Sequence, residues 1–101
     1  MEMRLADITD RYTILLLKQQ HGIRIEEPLD VYKLACQNVD CQELLEINSL
    51  MWEIEEKISH ATSLEAIGVM YLALRGLTRR RVEAKNRIAA KCHEPLEAKS
   101  Y

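Results

Sequence analysis

DCQELLEINSLMWEIEEKISH, residues 40–60, decides the fold. Its apolar positions Leu44, Ile47, Met51, Ile54 and Ile58 recur at steps of three, four, three and four, which gathers them on one stripe of an α-helix packed along a neighbour. The spacing predicts a helix over 41–60, opened by Asp40 with Glu43 three residues on as a capping box. The rhythm returns in Ile67, Met70, Leu74, Leu77, Ala84 and Ile88, predicting a second long helix over 63–92, with Thr62 and Glu65 as its capping box. Arg81 occupies the one position of that stripe where an apolar residue is due. A short link near Ala61 leaves the two helices little option but to fold back antiparallel as an αα-hairpin.

Working towards the N-terminus, Leu5, Ile8, Tyr12 and Leu15 mark one face of a helix over 5–20 that Gly22 ends. Pro28 suits the first position of a short helix over 29–37, because its missing N–H would have had no partner there. At the other end the last helix is expected to fray near Glu94-Pro95, leaving a tail over 93–101. The fold class expected is therefore all-α: one helical domain spanning 1–101, a long antiparallel hairpin braced by two shorter N-terminal helices as a small helical bundle.

Composition agrees. The chain has 101 residues, 48% of them hydrophobic and 30% charged, which fits one globular domain and neither a disordered nor a fibrous chain. Three glycines and two prolines are too few for the frequent turns of an all-β fold. Three cysteines, Cys36, Cys41 and Cys92, cannot all pair within one chain, and the first ten residues, MEMRLADITD, lack an apolar signal core. Both features point to the reducing cytoplasm. The apolar run Ile14–Leu17 is ended by Lys18, and nothing approaches the roughly 18 residues of a membrane span, so no membrane association is expected.

Charge is unevenly placed within a net −2. Residues 40–56 hold six acids and no base, while 75–91 hold seven bases and one acid, Glu83. With the fold-back near Ala61, Glu43 and Glu46 should fall level with Leu77 to Arg80, so the basic run reads first as a solvated face neutralised by its neighbour. Arg79-Arg80-Arg81 point about 100° apart on a helix and form no flat patch, which speaks against nucleic acid as a partner.

Beside the apolar stripe of 41–60 runs a second one: Leu45, Asn48, Trp52, Glu55. An amide, an indole and a carboxylate in one row need partners, which the last helix can supply from Arg79, Arg80, Lys85 or Asn86. One reading is a structural hydrogen-bond network that fixes helix register. The other is a cleft in which Trp52 stacks on the ring of a small anionic ligand, a nucleotide or sugar phosphate, held by Arg80, Arg81 and Lys85.

Residues 7–18 (DITDRYTILLLK), 45–55 (LEINSLMWEIE) and 80–88 (RRVEAKNRI) resemble an uncharacterised bacterial and phage family of helical domains. In that family a KITIL-like first helix precedes an IN..LW.IE helix and a last helix carrying R...K..I. The resemblance covers about half the chain and implies an all-helical hairpin core without an assigned reaction. Some members of that family accompany glycosyltransferases in surface-polysaccharide regions. The positions that match are Lys18, Asn48, Trp52, Glu55, Arg81, Lys85 and Ile88, whereas Tyr12 stands where the family pattern often has Lys.

Catalytic patterns are thin. Glu53 and Glu56, followed by Glu83 and Asn86, are similar to the paired carboxylates with which all-α nucleoside-triphosphate pyrophosphohydrolases hold magnesium, but Asn86 stands where the last acid belongs and the helix around it is cationic. Cys36, Cys41, Cys92 and His93 depart from zinc-knuckle spacing. His21 and His60 sit at predicted helix C-termini, where the dipole accounts for them. No metal or cofactor is expected, and the balance leans to a role in binding, not catalysis. Surplus apolar residues at Val69, Leu72, Leu16 and Leu17 call for a partner surface, so the sequence is read as a homo-oligomerising module that binds a protein partner. A ligand site at Lys18, Asn48, Trp52, Glu55, Arg80, Arg81 and Lys85 is the alternative.

Overall fold

The computed structural model describes residues 4–96. Four helices follow one another: α1 (Leu5–Gln20), α2 (Leu29–Ala35), α3 (Gln42–His60) and α4 (Leu64–Lys91). No strand occurs among the described residues. The long hairpin α3–α4 is the frame of a small helical bundle, α1 lies against both of its arms, and α2 packs on α1.

The hydrophobic core joins Ala6 of α1, Leu44 and Ile47 of α3, and Leu77, Ala84, Ile88 and Ala89 of α4. Leu44 and Ile47 are 1% exposed, and each such aliphatic side chain contributes about 1.5–3 kcal/mol by leaving water. The alanines let α1 approach α4 closely: Ala6 and Ala89 are wholly buried. Further along both stripes burial lessens, so that Met51, Ile54 and Ile58 on α3 and Ile67, Met70 and Leu74 on α4 are half-buried. That half of the hairpin extends beyond the cover of α1 and α2.

Several local expectations are corrected. The buried face of α1 is polar: Ala6, Thr9, Asp10 and Thr13 point inward with Leu15 and Leu17, while Leu5, Ile8 and Tyr12 are half-buried. Leu17 is 2% exposed and so belongs to the core, not to a surplus surface. Helix α3 is preceded by Asp40, whose carboxylate accepts from the Gln42 amide at 3.0 Å, but Glu43 does not complete a capping box because it pairs with Arg87. The cap of α4 is Ser63, accepting from the Ala66 amide, so Thr62 lies one residue outside. Helix α2 stops at Ala35, two residues early, and starts after Pro28, whose carbonyl accepts from Val31 and Tyr32.

Glu43 reaches Arg87 at 2.7 Å, two turns beyond the Leu77–Arg80 level expected for it. At the elbow between α3 and α4, Leu64 is 87% exposed and a notch is lined by Lys57, His60, Ser63 and Met70.

Residues 93–96 are not a frayed tail. The His93 amide donates to Ala90 and the Glu94 amide to Ala89, the paired bonds of a Schellman turn, with His93 in the left-handed region at φ 58°. This turn aims Glu94 at the start of α1, where its carboxylate accepts from the Leu5 amide at 2.5 Å and the Ala6 amide at 3.0 Å. Arg4, at the cap position, supplies no side-chain bond of that kind, so Glu94 does its work from the far end of the chain. The remainder of the expected tail, 97–101, lies outside the described residues.

Candidate functional site

The centre of the bundle holds a polar cluster. Asn48, 6% exposed on α3, donates its amide hydrogens to Asp10 Oδ1 at 2.9 Å and to Thr13 Oγ1 at 2.8 Å. The Thr13 hydroxyl donates onward to the Asp10 carbonyl at 2.7 Å. Asp10, 6% exposed, also receives a two-pronged guanidinium from Arg81, with Nε 3.0 Å from Oδ1 and Nη2 on Oδ2. A buried carboxylate needs this: a cation, and donors on both oxygens. Arg81 thus interrupts the apolar stripe of α4 because α1 presents an acid there.

One turn along, Lys85 Nζ lies 2.8 Å from Asp7 Oδ1, and Arg4 Nε lies 3.0 Å from Asp7 Oδ2. Burial pushes the Asp7 carboxyl up, but the hydrogen bonds and charges of Lys85 and Arg4 outweigh it and hold the group below the usual carboxylate range. The Lys85 side chain is 12% exposed, its stem lying along the bundle.

Trp52 stands at the edge of this cluster. Its indole N–H donates to Glu56 Oε1 at 3.0 Å, and its ring stacks on His21, centroids 4.5 Å apart and planes 10° from parallel. His21 is held there by the turn that ends α1. Gly22 adopts φ 71°, its amide donates to Gln19 and the Ile23 amide to Lys18, a second Schellman turn. One face of Trp52 is thus occupied by an imidazole.

Of the seven residues singled out from the sequence, four border one depression of about 160 Å³: Asn48, Trp52, Glu55 and Arg81, together with Ile14, Leu17 and Met51. Lys85 sits on Asp7, Lys18 is half-buried in the last turn of α1, and Arg80 is exposed and does not border the depression. The depression is smaller than the roughly 300–1,000 Å³ of ordinary ligand pockets. Both partners of Asn48 come from α1, not from the last helix as expected, and Asp10, Thr13 and Asp7 are the residues sequence reasoning missed. The signal available was an arginine in an apolar stripe, which demands an acid somewhere in the chain.

Also on α1, Arg11 clasps Glu27 through both carboxylate oxygens, with Nε 3.1 and 2.9 Å from them. The bond to Arg11 holds the Glu27 carboxyl below its usual range and ties the connection before α2 to α1. The Cys36 thiol donates to Thr9 Oγ1 at 3.5 Å, and burial pushes it up, away from thiolate chemistry. Among the described residues no group of three or more His, Cys, Asp or Glu side chains could hold a metal ion, and no helix is long and apolar enough to cross a membrane.

No protein-family model, curated protein or solved structure matches this chain. The fold and the cluster define an all-α helical bundle with a polar centre whose charges are matched internally.

Proposed function

We propose that the protein is a non-catalytic helical association module whose partner is a second copy of itself. One observation carries this reading. Leu64, Val69, Tyr71 and Leu72, on the first half of α4, are 87%, 67%, 58% and 67% exposed, grouped on the arm of the hairpin that α1 and α2 leave uncovered. Large apolar residues left uncovered along one arm mark a contact surface.

The anion-binding reading is weaker on the same grounds. Arg81 and Lys85 are each matched to a carboxylate of α1, and Trp52 already carries His21. The likeness of residues 7–18, 45–55 and 80–88 to a bacterial and phage helical family supports a hairpin core and assigns no reaction to it. Multi-angle light scattering over about 10–500 µM, the range in which a small interface is populated, is expected to show mass rising towards a dimer. Leu72→Glu should hold the protein at monomer mass with its helicity unchanged. A monomer at every concentration refutes the reading.

A further inference from the structure

We infer that two copies associate through α4 alone, antiparallel, about a two-fold axis at Leu72; this rests on the self-association just proposed and specifies its geometry. At about 100° per residue, Glu65 and Arg79 point within about 20° of the Leu72 direction, Gly68 and Gly76 within about 40°, and Val69 and Arg75 within about 60°. All seven are exposed. Ile67, Met70, Leu74, Leu77 and Arg81 point to the opposite side, towards α3 and α1, so the strip is the back of α4.

The strip is its own complement. Turning a second copy over on Leu72 sets Glu65 against Arg79 of that copy and Gly68 against its Gly76, with both relations repeated across the axis. A parallel pairing would instead set Glu65 on Glu65 and Arg79 on Arg79, like charges that oppose association.

The glycines give the second reason. Each costs about 1 kcal/mol relative to Ala inside a helix, and a Cβ at Gly68 or Gly76 would meet nothing within 4 Å, so nothing inside the described chain requires them. Placed one turn either side of Leu72, they let two backbones close around the paired leucines. A contact from Glu65 to Arg79 is about 21 Å long at about 1.5 Å per residue. A contact of that length is smaller than a standard interface with its roughly 800 Å² per partner, so a weak dimer is expected.

Sedimentation equilibrium of the full chain tests this with three variants. Glu65→Arg and Arg79→Glu should each weaken dimerisation by about tenfold or more, while the double variant, whose net charge equals the parent's, should return to within about threefold of it. Far-UV circular dichroism checks that each remains folded. Should either single variant unfold, Leu72→Cys gives the independent readout. On the axis it should form a symmetric disulfide under mild oxidation, placed at residue 72 by peptide mass. A dimer indifferent to both reversals, a double variant no tighter than the singles, or a Leu72→Cys protein that dimerises without linking at 72 overturns the antiparallel geometry and leaves self-association standing. A monomer throughout overturns both.

Discussion

Replacing Arg81 by alanine tests whether the polar centre is scaffold. The Asp10 side chain is 8% exposed and takes two of its bonds from the Arg81 guanidinium. Arg81→Ala leaves that carboxylate with the Asn48 amide and no cation hydrogen-bonded to it. Breaking a buried pair in this way costs about 3–5 kcal/mol. The Arg81 side chain is 30% exposed, however, so water can enter the space it vacates and screen the charge. A loss of about 2–3 kcal/mol follows from weighing the two. In a domain of this size each kcal/mol moves Tm by about 4–8 °C, so the melt should fall by roughly 8–24 °C. Thermal unfolding followed by far-UV circular dichroism measures it. Arg81→Lys should lie between parent and alanine variant, keeping the charge but not the fork. Asp10→Ala combined with Arg81→Ala should cost less than the two single changes added, because neither charge is stranded. A melt of Arg81→Ala within about 2 °C of the parent would refute the network as a structural element.

Glu94→Ala removes the acceptor for the first amides of α1 and should cost about 0.5–2 kcal/mol in chemical denaturation, with Glu94→Gln intermediate because one acceptor oxygen survives. Asp7 supplies a pH dependence. Its carboxyl titrates lower in the folded chain than in the unfolded one, so the unfolded state takes up the proton first as pH falls. The Asp7 contribution is therefore complete above about pH 4 and is lost below it. Asp7→Asn should be less stable than the parent at neutral pH and lose less on acidification, as urea titrations at several pH values would show; parallel curves would contradict this. For the thiols, Ellman titration of the native protein should find Cys41 and Cys92 reacting readily and Cys36 only after denaturant is added, since Cys36 is buried and its thiol is pushed up.

The hairpin was legible because periodicity is a local property: Leu44, Ile47, Met51 and Ile54 declare their face without reference to the rest of the chain. The same logic misjudged α1. Its buried face carries Thr9, Asp10 and Thr13, which resemble surface residues until partners 27 to 71 residues away are brought to them. Asn48 was legible as a residue needing partners, and Arg81 as an anomaly in its stripe. That they meet on Asp10 follows only from how α1 is set against the hairpin. Caps were misplaced by a residue or so because Asp40, Thr62 and Ser63 can each serve, and the choice depends on the turn that precedes. Glu94 had no local signal at all, since the amides it satisfies belong to residues 5 and 6.

The Glu94 cap also bears on how the chain is made. Helix α1 is synthesised first, yet the carboxylate that satisfies its opening amides comes 88 and 89 residues later, and the guanidinium that neutralises its Asp10 comes 71 residues later. At about 5–20 residues per second, α1 therefore waits on the order of ten seconds on the ribosome with a charged inner face and no cap. The α3–α4 hairpin closes through contacts nearer in sequence and so sooner. During biogenesis the first turn of α1 is then the segment held open longest, its cap postponed until the turn that follows α4 has emerged.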